Sequence, residues 1–375
     1  MSILAFIFAI LTVVGVFQCA AGAYLTGRFC AKTWQRPKNR PPVTVMKPLC
    51  GVEQMTELAL ESFFLLDYPV YQLVFGVKDK EDPVLEIVAR LQARYPQCDT
   101  AVMVNDELHG SNRKVSNLIN MQKLAKHDIL VFADADIHVP PYYLDDLVAS
   151  LEDPKVGLVT TLYTGLPGTL ALAGRLGAAQ INQTFLPSAL LARQLGRQDC
   201  MGATMALTKQ ILKRSGGLAA LADHLADDQV LGRLVVKAGY RVGLAHTIPV
   251  ATVPETDFAA LFRHELRWGR TIRALVPFAY AGSILQIPMF WAVLTVLFSG
   301  FALWSIVLLL LTLAGRIIFA RHVEKSLRLP GTREIGFFLL RDLFSFVIYV
   351  ASFTGRRVDW RGQSMVADSG RPDHG

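Results

Sequence analysis

The sequence contains few charged residues and no paired cysteines, and each shortage excludes a class of protein. Asp, Glu, Lys and Arg make up only 18% of the 375 residues, whereas 52% are hydrophobic, a high share for a wholly soluble protein. The five cysteines are odd in number and form no C-x-x-C pair. This pattern argues against a disulfide framework or a structural zinc site and indicates a reducing compartment. The sequence has no internal repeat and no nucleic-acid-binding signature, so we expect no nucleic-acid partner.

The first long apolar run, from Ile3 to Tyr24, contains no charged residue, and no Lys or Arg precedes it. A run of this length is sufficient to span a bilayer. A cleaved signal peptide is the alternative, because Ala20–Gly22 resembles a cleavage region, although such peptides begin with basic residues. Here the basic residues follow the run, over Arg28–Arg40, and by the positive-inside rule they place the next domain in the cytoplasm. The sequence thus predicts an uncleaved transmembrane anchor over residues 1–27.

Short apolar runs alternate with helical patterns through residues 43–256, after a proline-containing linker. The predicted strands cover 43–46, 72–77, 100–104, a run from Ile129, 157–163, 200–207 and 240–245. The predicted helices cover 55–66, 83–93, 115–124, 140–151, 170–195, 209–216 and 223–239. This alternation predicts an α/β domain with a mostly parallel sheet and right-handed crossovers.

One of these strands leads directly into two acidic residues. The unbroken apolar run Ile129–Ala133 is typical of a strand buried on both faces, and Asp134 and Asp136 follow it. Ligands bind at the carboxyl ends of strands in open α/β sheets. Two carboxylates one residue apart can both reach a divalent cation, and Mg²⁺ favours a few protein oxygens together with phosphate oxygens. The stretch predicts a metal ion that holds a nucleotide diphosphate; the alternative is that both acids cap turns.

The C-terminal third of the sequence is apolar and basic. An amphipathic helix over residues 257–277 either lies in a membrane interface or packs on the soluble domain. The segment 278–320 is long enough for two spans, with a turn near Ser299–Gly300 and a kink at Pro288. A third apolar segment, Ile335–Phe353, contains Arg341–Asp342 and is either buried against other helices or re-entrant. We assign 278–355 to membrane segments and 356–375 to a tail.

The acidic residues fall in an order that is known from enzymes. Asp79, the pair Asp134/Asp136 and Asp228 lie at strand ends or helix starts, and the sequence His264–Trp268 reads HELRW. This set resembles the D, D, D, (Q/R)xxRW pattern of processive and lipid-directed family 2-type glycosyltransferases. His264 stands where that pattern has Gln or Arg, so the acceptor contacts of the motif are expected to differ.

Further segments bring the resemblance closer to ceramide glucosyltransferases and their bacterial relatives, including a branch that acts on hopanoid polyols. The segments are Lys47-Pro48-Leu49-x-Gly51-Val52, Leu66-Asp67-Tyr68-Pro69, Asp79-x-x-Asp82-Pro83 and Lys114-x-x-Asn117-Leu118. The resemblance covers about Val43 to Trp268 and, more loosely, the membrane segments and Asp359–Arg361. It implies a GT-A-type sheet domain over residues 43–256 with N- and C-terminal transmembrane helices.

The resemblance also implies roles on the donor side of the site. Asp79 would hydrogen-bond the uracil of a UDP-sugar, and the loop from Lys47 to Gly51 would lie against the uridine. Lys114 would reach the nucleotide or the sugar. Asp134 and Asp136 would hold Mg²⁺ or Mn²⁺, which neutralises the leaving diphosphate. The alternatives are a turn-forming acid at Asp79 and a solvated helix start at Lys114.

On the acceptor side, the resemblance makes Asp228 the catalytic base, while a helix N-cap at Asp227–Asp228 is the alternative. Arg267 would add positive charge near the diphosphate, and Trp268 would stack on sugar or acceptor. Trp268 as an interfacial anchor and His264 as an ordinary core or surface histidine are the competing interpretations.

Together these observations favour an inverting glycosyltransferase that moves glucose or N-acetylglucosamine from a UDP-sugar to a hydroxyl of a membrane lipid. We expect an integral protein of the bacterial inner membrane with its catalytic domain in the cytoplasm. A processive polysaccharide synthase and a transporter or membrane scaffold with a degenerate nucleotide-binding fold are the alternatives. The few predicted spans argue against a polymer channel or transporter, and the intact acids argue against a scaffold.

Overall fold

The computed structural model describes residues 2–329, 336–360 and 363–368. Within them the chain divides into two compact units. The helical unit contains the described residues of Met1–Lys32, Leu170–Gly196 and Glu255–Ser369, and the sheet unit contains Thr33–Thr169 and Arg197–Pro254. The segment 170–196, which lies within the predicted range 43–256, therefore groups with the terminal helices.

The elements alternate through the sheet unit as the sequence predicts. The strands are β1 (Val43–Pro48), β2 (Tyr71–Val77), β3 (Asp99–Val104), β4 (Ile129–Ala133), β5 (Ile137–His138), β6 (Val156–Thr160), β7 (Thr164–Pro167), β8 (Thr204–Thr208), β9 (Arg241–Leu244), β10 (Val250–Val253), β11 (Arg357–Trp360) and β12 (Gln363–Val366). The helices are α1 (Ile3–Cys30), α2 (Thr56–Phe64), α3 (Val84–Arg94), α4 (Arg113–Gln122), α5 (Tyr143–Leu151), α6 (Leu172–Gln180), α7 (Leu186–Gln194), α8 (Lys209–Arg214), α9 (Asp227–Lys237), α10 (Phe258–Leu275), α11 (Pro277–Gly282), α12 (Pro288–Phe298), α13 (Leu303–Ser326) and α14 (Gly336–Ser352). A π-helical turn, Ile181–Phe185, joins α6 to α7.

The main sheet has the strand order β3-β2-β1-β4-β8-β6-β9. Its neighbours pair in parallel except at β8, which is antiparallel to both β4 and β6. Along β4, Val131 packs into one hydrophobic cluster, whereas Leu130 and Phe132 pack into another. Because side chains alternate across a strand, both faces of the central sheet are covered, which explains its uninterrupted apolar sequence. The predicted α/β class with a mostly parallel sheet is confirmed.

One strand begins later than predicted, at a point where side-chain hydrogen bonds take the place of backbone pairing between strands. The predicted strand 200–207 begins only at Thr204, because the Thr160 hydroxyl donates to the Met201 carbonyl (2.8 Å) and accepts from the Met201 amide (2.9 Å). A separate small sheet, in the order β5-β10-β7, was not predicted. Its strands have only two to four residues, too few for a clear alternating pattern.

The predicted linker before β1 is fixed to α5. Arg40 donates to the Asp145 carboxylate at 2.8 and 3.0 Å, and Asp145 is only 2% exposed. The neighbouring carboxylate of Asp146 accepts from the amide and hydroxyl of Thr247 (2.6 and 2.8 Å) and from the Gln35 amide (3.2 Å). Two adjacent buried acids thus tie the chain that enters the sheet to the sheet's own core.

In the helical unit, α1 and α13 are long and apolar enough to cross a membrane, and a bent helix pair adds a third candidate if it acts as one span. This pair, 277–286 and 288–298, is bent by 63° at the predicted break before Pro288. The chain turns at Ser299–Gly300, between α12 and α13, as expected. These counts refer to the part of the chain that the structure describes.

The charges that interrupt the last apolar segment are buried against other helices. Asp342 of α14 accepts from Arg316 of α13 at 3.1 Å and from the backbone amide of Met289 at 3.0 Å. Since Met289 lies in the first turn of α12, where helix amides have no partner within the helix, Asp342 stabilises the start of that helix. Arg341 pairs with Glu265 of α10. Of the sequence predictions here, Pro330–Ile335, Arg361 and residues 369–375 lie outside the described residues.

The fold predicts that Asp146→Ala destabilises the sheet unit, because it leaves the buried donors of Thr247 without an acceptor. We expect the free energy of unfolding to fall by about 1–3 kcal/mol, measured by thermal denaturation in detergent. Glu152→Ala is the matched control, since Glu152 accepts from the Lys38 amide in the same linker but is exposed. Equal melting temperatures for the two variants would contradict this account of the linker.

Candidate active site

A buried lysine binds the backbone of the acidic stretch that follows β4. Lys47 of β1 is fully buried, and its Nζ donates to the carbonyl of Asp134 at 2.7 Å while lying 3.7 Å from the centre of the Phe63 ring. Burial lowers the pKa of Lys47 to about 7, although the carboxylates of Asp136 and Asp134 oppose the shift. In this geometry Lys47 positions the backbone of the acidic segment. Its predicted contact with the nucleotide stays a prediction.

A second lysine joins two acidic elements. The Nζ of Lys114, at the start of α4, lies 2.7 Å from Asp134 Oδ1 and 3.7 Å from Asp227 Oδ2. Burial alone would lower the pKa of Lys114, but the charges of Asp134 and Asp227 outweigh it and raise that pKa above its usual value. Lys114 therefore carries a positive charge at any physiological pH, and it is no ordinary solvated helix start.

Asn112 places Lys114, and sequence reasoning missed it. The side-chain oxygen of Asn112 caps α4 by accepting from the Val115 amide at 3.1 Å. Its Nδ2 donates to the His224 carbonyl at 2.8 Å, and its backbone amide donates to the Ala222 carbonyl at 2.7 Å. The sequence carries the capping signal, an Asn before a helix. The contacts with residues 222–224, more than a hundred positions away, leave no local pattern.

The two acids at the start of α9 do different things. The N-cap of α9 is Ala226, and no side chain caps the helix, so the N-cap alternative is wrong for both. Asp227 is buried and faces Lys114 and the Nδ2 of Asn112. Asp228 is half-buried and accepts from the Gln229 amide at 2.7 Å.

The surroundings of Asp228 suit proton transfer near neutral pH. Burial first, and then the charge of Asp227, raise the pKa of Asp228 to about 7, and Lys114 opposes the shift. Its Oδ2 would lie 2.9 Å from a Cβ on Gly202, so a side chain at position 202 would force this carboxylate to shift. A carboxyl group with a pKa close to the working pH can accept a proton and later release it.

Asp134 and Asp136 fit a divalent cation. Burial, followed by the charge of Asp134, raises the pKa of Asp136 to about 6, so the pair of like charges is destabilised as it stands and a cation would relieve it. Across the described ranges no group of three or more His, Cys, Asp or Glu side chains is arranged so that it could hold a metal ion. Two carboxylates leave coordination positions for phosphate oxygens and water, which is the arrangement that Mg²⁺ favours.

The loop expected against the uridine is held by Asp82. Its carboxylate accepts from the Gly51 amide at 2.9 and 3.1 Å and from the Val84 amide at 3.0 Å. Gly51 has a φ of +69°, which favours glycine there. Asp79 is exposed at the end of β2, and its side chain accepts from the Glu81 amide at 2.9 Å. Asp79 therefore forms a turn, and its contact with uracil stays a prediction.

The HELRW motif lies on α10, in the helical unit. The Nδ1 of His264 contacts the carboxylate of Glu255, and its ring meets the ring of Trp268 edge-on, with 4.5 Å between the ring centres. Burial would raise the pKa of Glu255, but the bond and charge of His264 outweigh it and lower that pKa. His264 is thus an oriented side chain, not an isolated one. Arg267 and Trp268 are partly exposed.

The basic side of α10 has a use that the amphipathic pattern did not indicate. Arg270 donates to the Arg357 carbonyl at 2.5 Å, and Arg273 donates to the Gly355 carbonyl at 2.6 Å. These two arginines hold the C-terminal segment that leads into β11.

In the sheet unit, the structure brings together Lys114, Asp134, Asp227 and Lys47. Asp136 and Asp228 lie close to them along the chain.

Comparisons with known proteins find similar glycosyltransferases. The chain is 24% identical over 243 residues to ceramide glucosyltransferase 1 of Caenorhabditis elegans, covering 63% of this chain and 51% of that protein. It is 32% identical over 121 residues to ceramide glucosyltransferase of Candida albicans, covering 29% and 22%. The chain spans about half the length of the first of these curated relatives.

A solved structure shares the fold across almost the whole chain. It is the mannosyltransferase PcManGT from Pyrobaculum calidifontis in complex with GDP-Man and Mn²⁺, with a TM-score of 0.55 and 18% identity, covering 94% of this chain and 99% of that one. The predicted GT-A-type fold is confirmed by this likeness. The profile described as "Glycosyl transferase family 21" matches residues 6–372. Since the match covers nearly the whole sequence, the chain belongs to glycosyl transferase family 21.

Proposed function

We propose that this protein transfers glucose or N-acetylglucosamine from a UDP-sugar to a hydroxyl of a membrane lipid, a ceramide or a hopanoid polyol, with inversion at the anomeric carbon. The observation that carries the proposal is the arrangement around Lys114, whose Nζ lies 2.7 Å from Asp134 Oδ1 and 3.7 Å from Asp227 Oδ2 and is also within reach of the charge of Asp228. Membership of family 21 and the two ceramide glucosyltransferase relatives support a sugar donor and a lipid acceptor.

The donor end of the site would neutralise the negative charge of the diphosphate. Asp134 and Asp136 would hold Mg²⁺ or Mn²⁺, which would neutralise charge on the leaving diphosphate; the structurally similar mannosyltransferase was solved with Mn²⁺. Lys114 stays protonated because Asp134 and Asp227 surround it, and it offers a fixed positive charge beside the diphosphate. Lys47 keeps the backbone of Asp134 in place. As the family resemblance implies, we assign His264, Arg267 and Trp268 to binding of the diphosphate and the acceptor.

The transfer itself is one displacement. The oxygen of the lipid hydroxyl forms a bond to the anomeric carbon while the bond from that carbon to the diphosphate oxygen breaks, and UDP leaves with the electron pair. The hydroxyl proton passes to the carboxylate of Asp228. Attack from the face opposite the leaving group inverts the anomeric configuration. Asp227 takes no proton, since it serves Lys114 and Asn112.

The helical unit suits a lipid acceptor. Its helices α1 and α13 have the length and hydropathy of membrane spans. The same chain therefore carries both candidate membrane spans and the proposed sugar-transfer site. We place the protein in the bacterial inner membrane with the sheet unit in the cytoplasm, where nucleotide sugars are made. The basic stretch Arg28–Arg40 after α1 supports this orientation.

Transfer is expected to depend on a divalent cation. Excess chelator should abolish product formation from UDP-glucose or UDP-N-acetylglucosamine, and Mg²⁺ or Mn²⁺ should restore it, as followed by mass spectrometry of the lipid product. Asp136→Asn should lose most activity, because it removes one of the two carboxylates that hold the cation. Asp153→Asn is the control, because Asp153 is an exposed acid that pairs with Arg241 and accepts from the Lys155 amide. Full activity in chelator would exclude the metal role.

Asp228→Asn should transfer almost nothing while it binds UDP-sugar and folds as the parent does. Asparagine keeps the shape beside Gly202 but cannot accept the proton, and loss of a general base costs ~10²–10⁴ in rate. Asp227→Asn should keep much more activity. For the parent, kcat/KM should rise with pH and level off above about 7, because Asp228 must be deprotonated to act. An exchange of behaviour between the two variants would make Asp227 the base.

The orientation can be tested with a single exposed cysteine. Asp106→Cys, in a Cys50→Ser background, places a thiol on an exposed loop of the sheet unit. A membrane-impermeant maleimide should label it only after the cells are permeabilised. Labelling from outside intact cells would place the sheet unit on the other side and contradict the proposed location.

A further inference from the structure

A buried ion pair joins the motif helix to the last apolar helix. Arg341 of α14 donates to both carboxylate oxygens of Glu265, at 2.8 and 2.7 Å. The Arg341 side chain is 2% exposed and that of Glu265 is 7% exposed. A guanidinium that meets a carboxylate with two parallel bonds has one preferred orientation, in contrast to an apolar contact or a lysine.

The remaining donors of Arg341 extend the contact to a third helix. Its guanidinium donates to the Leu176 carbonyl of α6 at 3.1 Å and to the Ser345 hydroxyl at 3.1 and 3.2 Å. A small apolar cluster surrounds this point, with Ala173, Leu176, Leu261 and Phe337 among its members. The pair is therefore shielded from water, and the hydrogen bonds of Arg341 join α6, α10 and α14.

The position of Glu265 within the motif gives this pair its consequence. Residues His264 and Trp268 are four apart and lie on one face of α10, as their edge-on ring contact shows. Glu265 is the next residue after His264, and successive residues of a helix differ by about 100° around its axis. Holding Glu265 against Arg341 therefore fixes the rotation of α10, and with it the direction of the face that carries His264 and Trp268.

We propose that Glu265 and Arg341 are positioning residues that set the rotation of α10 and so orient His264, Arg267 and Trp268 for the transfer. The inference rests on the proposed function, because it assigns these three side chains to the diphosphate and acceptor side. A hydrophobic contact would serve stability as well or better, since buried ion pairs often stabilise less than apolar residues of similar volume. The ion pair adds a fixed orientation of α10, which an apolar contact would not supply.

The experiment separates orientation from stability. Single changes leave one buried charge without its partner and are expected to destabilise the protein, so the decisive variant is the double change Glu265→Met/Arg341→Met, which removes both charges. The matched control is Gln183→Met/Glu324→Met, which removes a part-buried polar contact (3.0 Å) of the helical unit between the π-helical turn and α13, together with the ion pair of Glu324 with Arg321. Each is purified in detergent, and hydrogen exchange by mass spectrometry and steady-state kinetics are measured.

We expect the Glu265→Met/Arg341→Met variant to fold, to keep the parental KM for UDP-sugar and to lose about 10- to 100-fold in kcat, the size expected from misplacing groups at a reacting centre. Amides of residues 258–275 should exchange faster, while those of 303–326 should not. The control variant should keep the parental kcat and the parental exchange over 258–275.

A folded double variant with parental kcat and parental exchange in α10 overturns the inference. If that variant does not fold, Arg341→Lys decides, because it keeps the charge but loses the paired geometry: a reduced kcat with unchanged KM supports positioning, and parental values overturn it. If the parent protein transfers no sugar, the proposed function fails. The exchange of 258–275 still tests the positioning itself, since it requires no activity.

Discussion

The ammonium group of Lys114 between Asp134 and Asp227 is the interaction on which the candidate active site depends. It brings the end of β4 and the start of α9 to the same point, and its charge offsets carboxylates that would otherwise repel one another in a poorly hydrated site. Its own placement depends on Asn112, which caps α4 and binds the chain before α9. Burial and then the charge of Asp227 raise the pKa of Asp228 to about 7, a value that suits a general base.

In the helical unit, buried charged side chains are also stabilised by pairing with opposite charges. Charged side chains among apolar helices are costly unless they are paired, and such pairs commonly serve function or packing. Asp342 joins Arg316 and the start of α12, while the adjacent Arg341 joins Glu265 of the motif helix. Neighbouring residues on a helix point in different directions, so one Arg-Asp dipeptide connects α14 to α12 and α13 through Asp342 and to α6 and α10 through Arg341.

Several features of the site follow from local sequence rules. The buried apolar run before Asp134 predicts a strand with acids at its carboxyl end, and the break at Pro288 follows from the missing amide of proline. Other features had competing explanations that local rules could not separate. Asp227 and Asp228 are chemically identical neighbours, and only the tertiary contacts of Asp227 with Lys114 and of Asp228 with Gly202 distinguish them, with Asp228 as the proposed base.

By itself the sequence determined the α/β class, the apolar anchors, the order of the acids and the family resemblance, because periodicity, run length and motif spacing are written along the chain. Tertiary structure decided what each polar side chain faces. Lys47 became a buried support, Asn112 a long-range clamp, and Arg341 the partner of Glu265. These outcomes depend on contacts between residues that are tens to more than a hundred positions apart, and such contacts leave no mark in a single sequence.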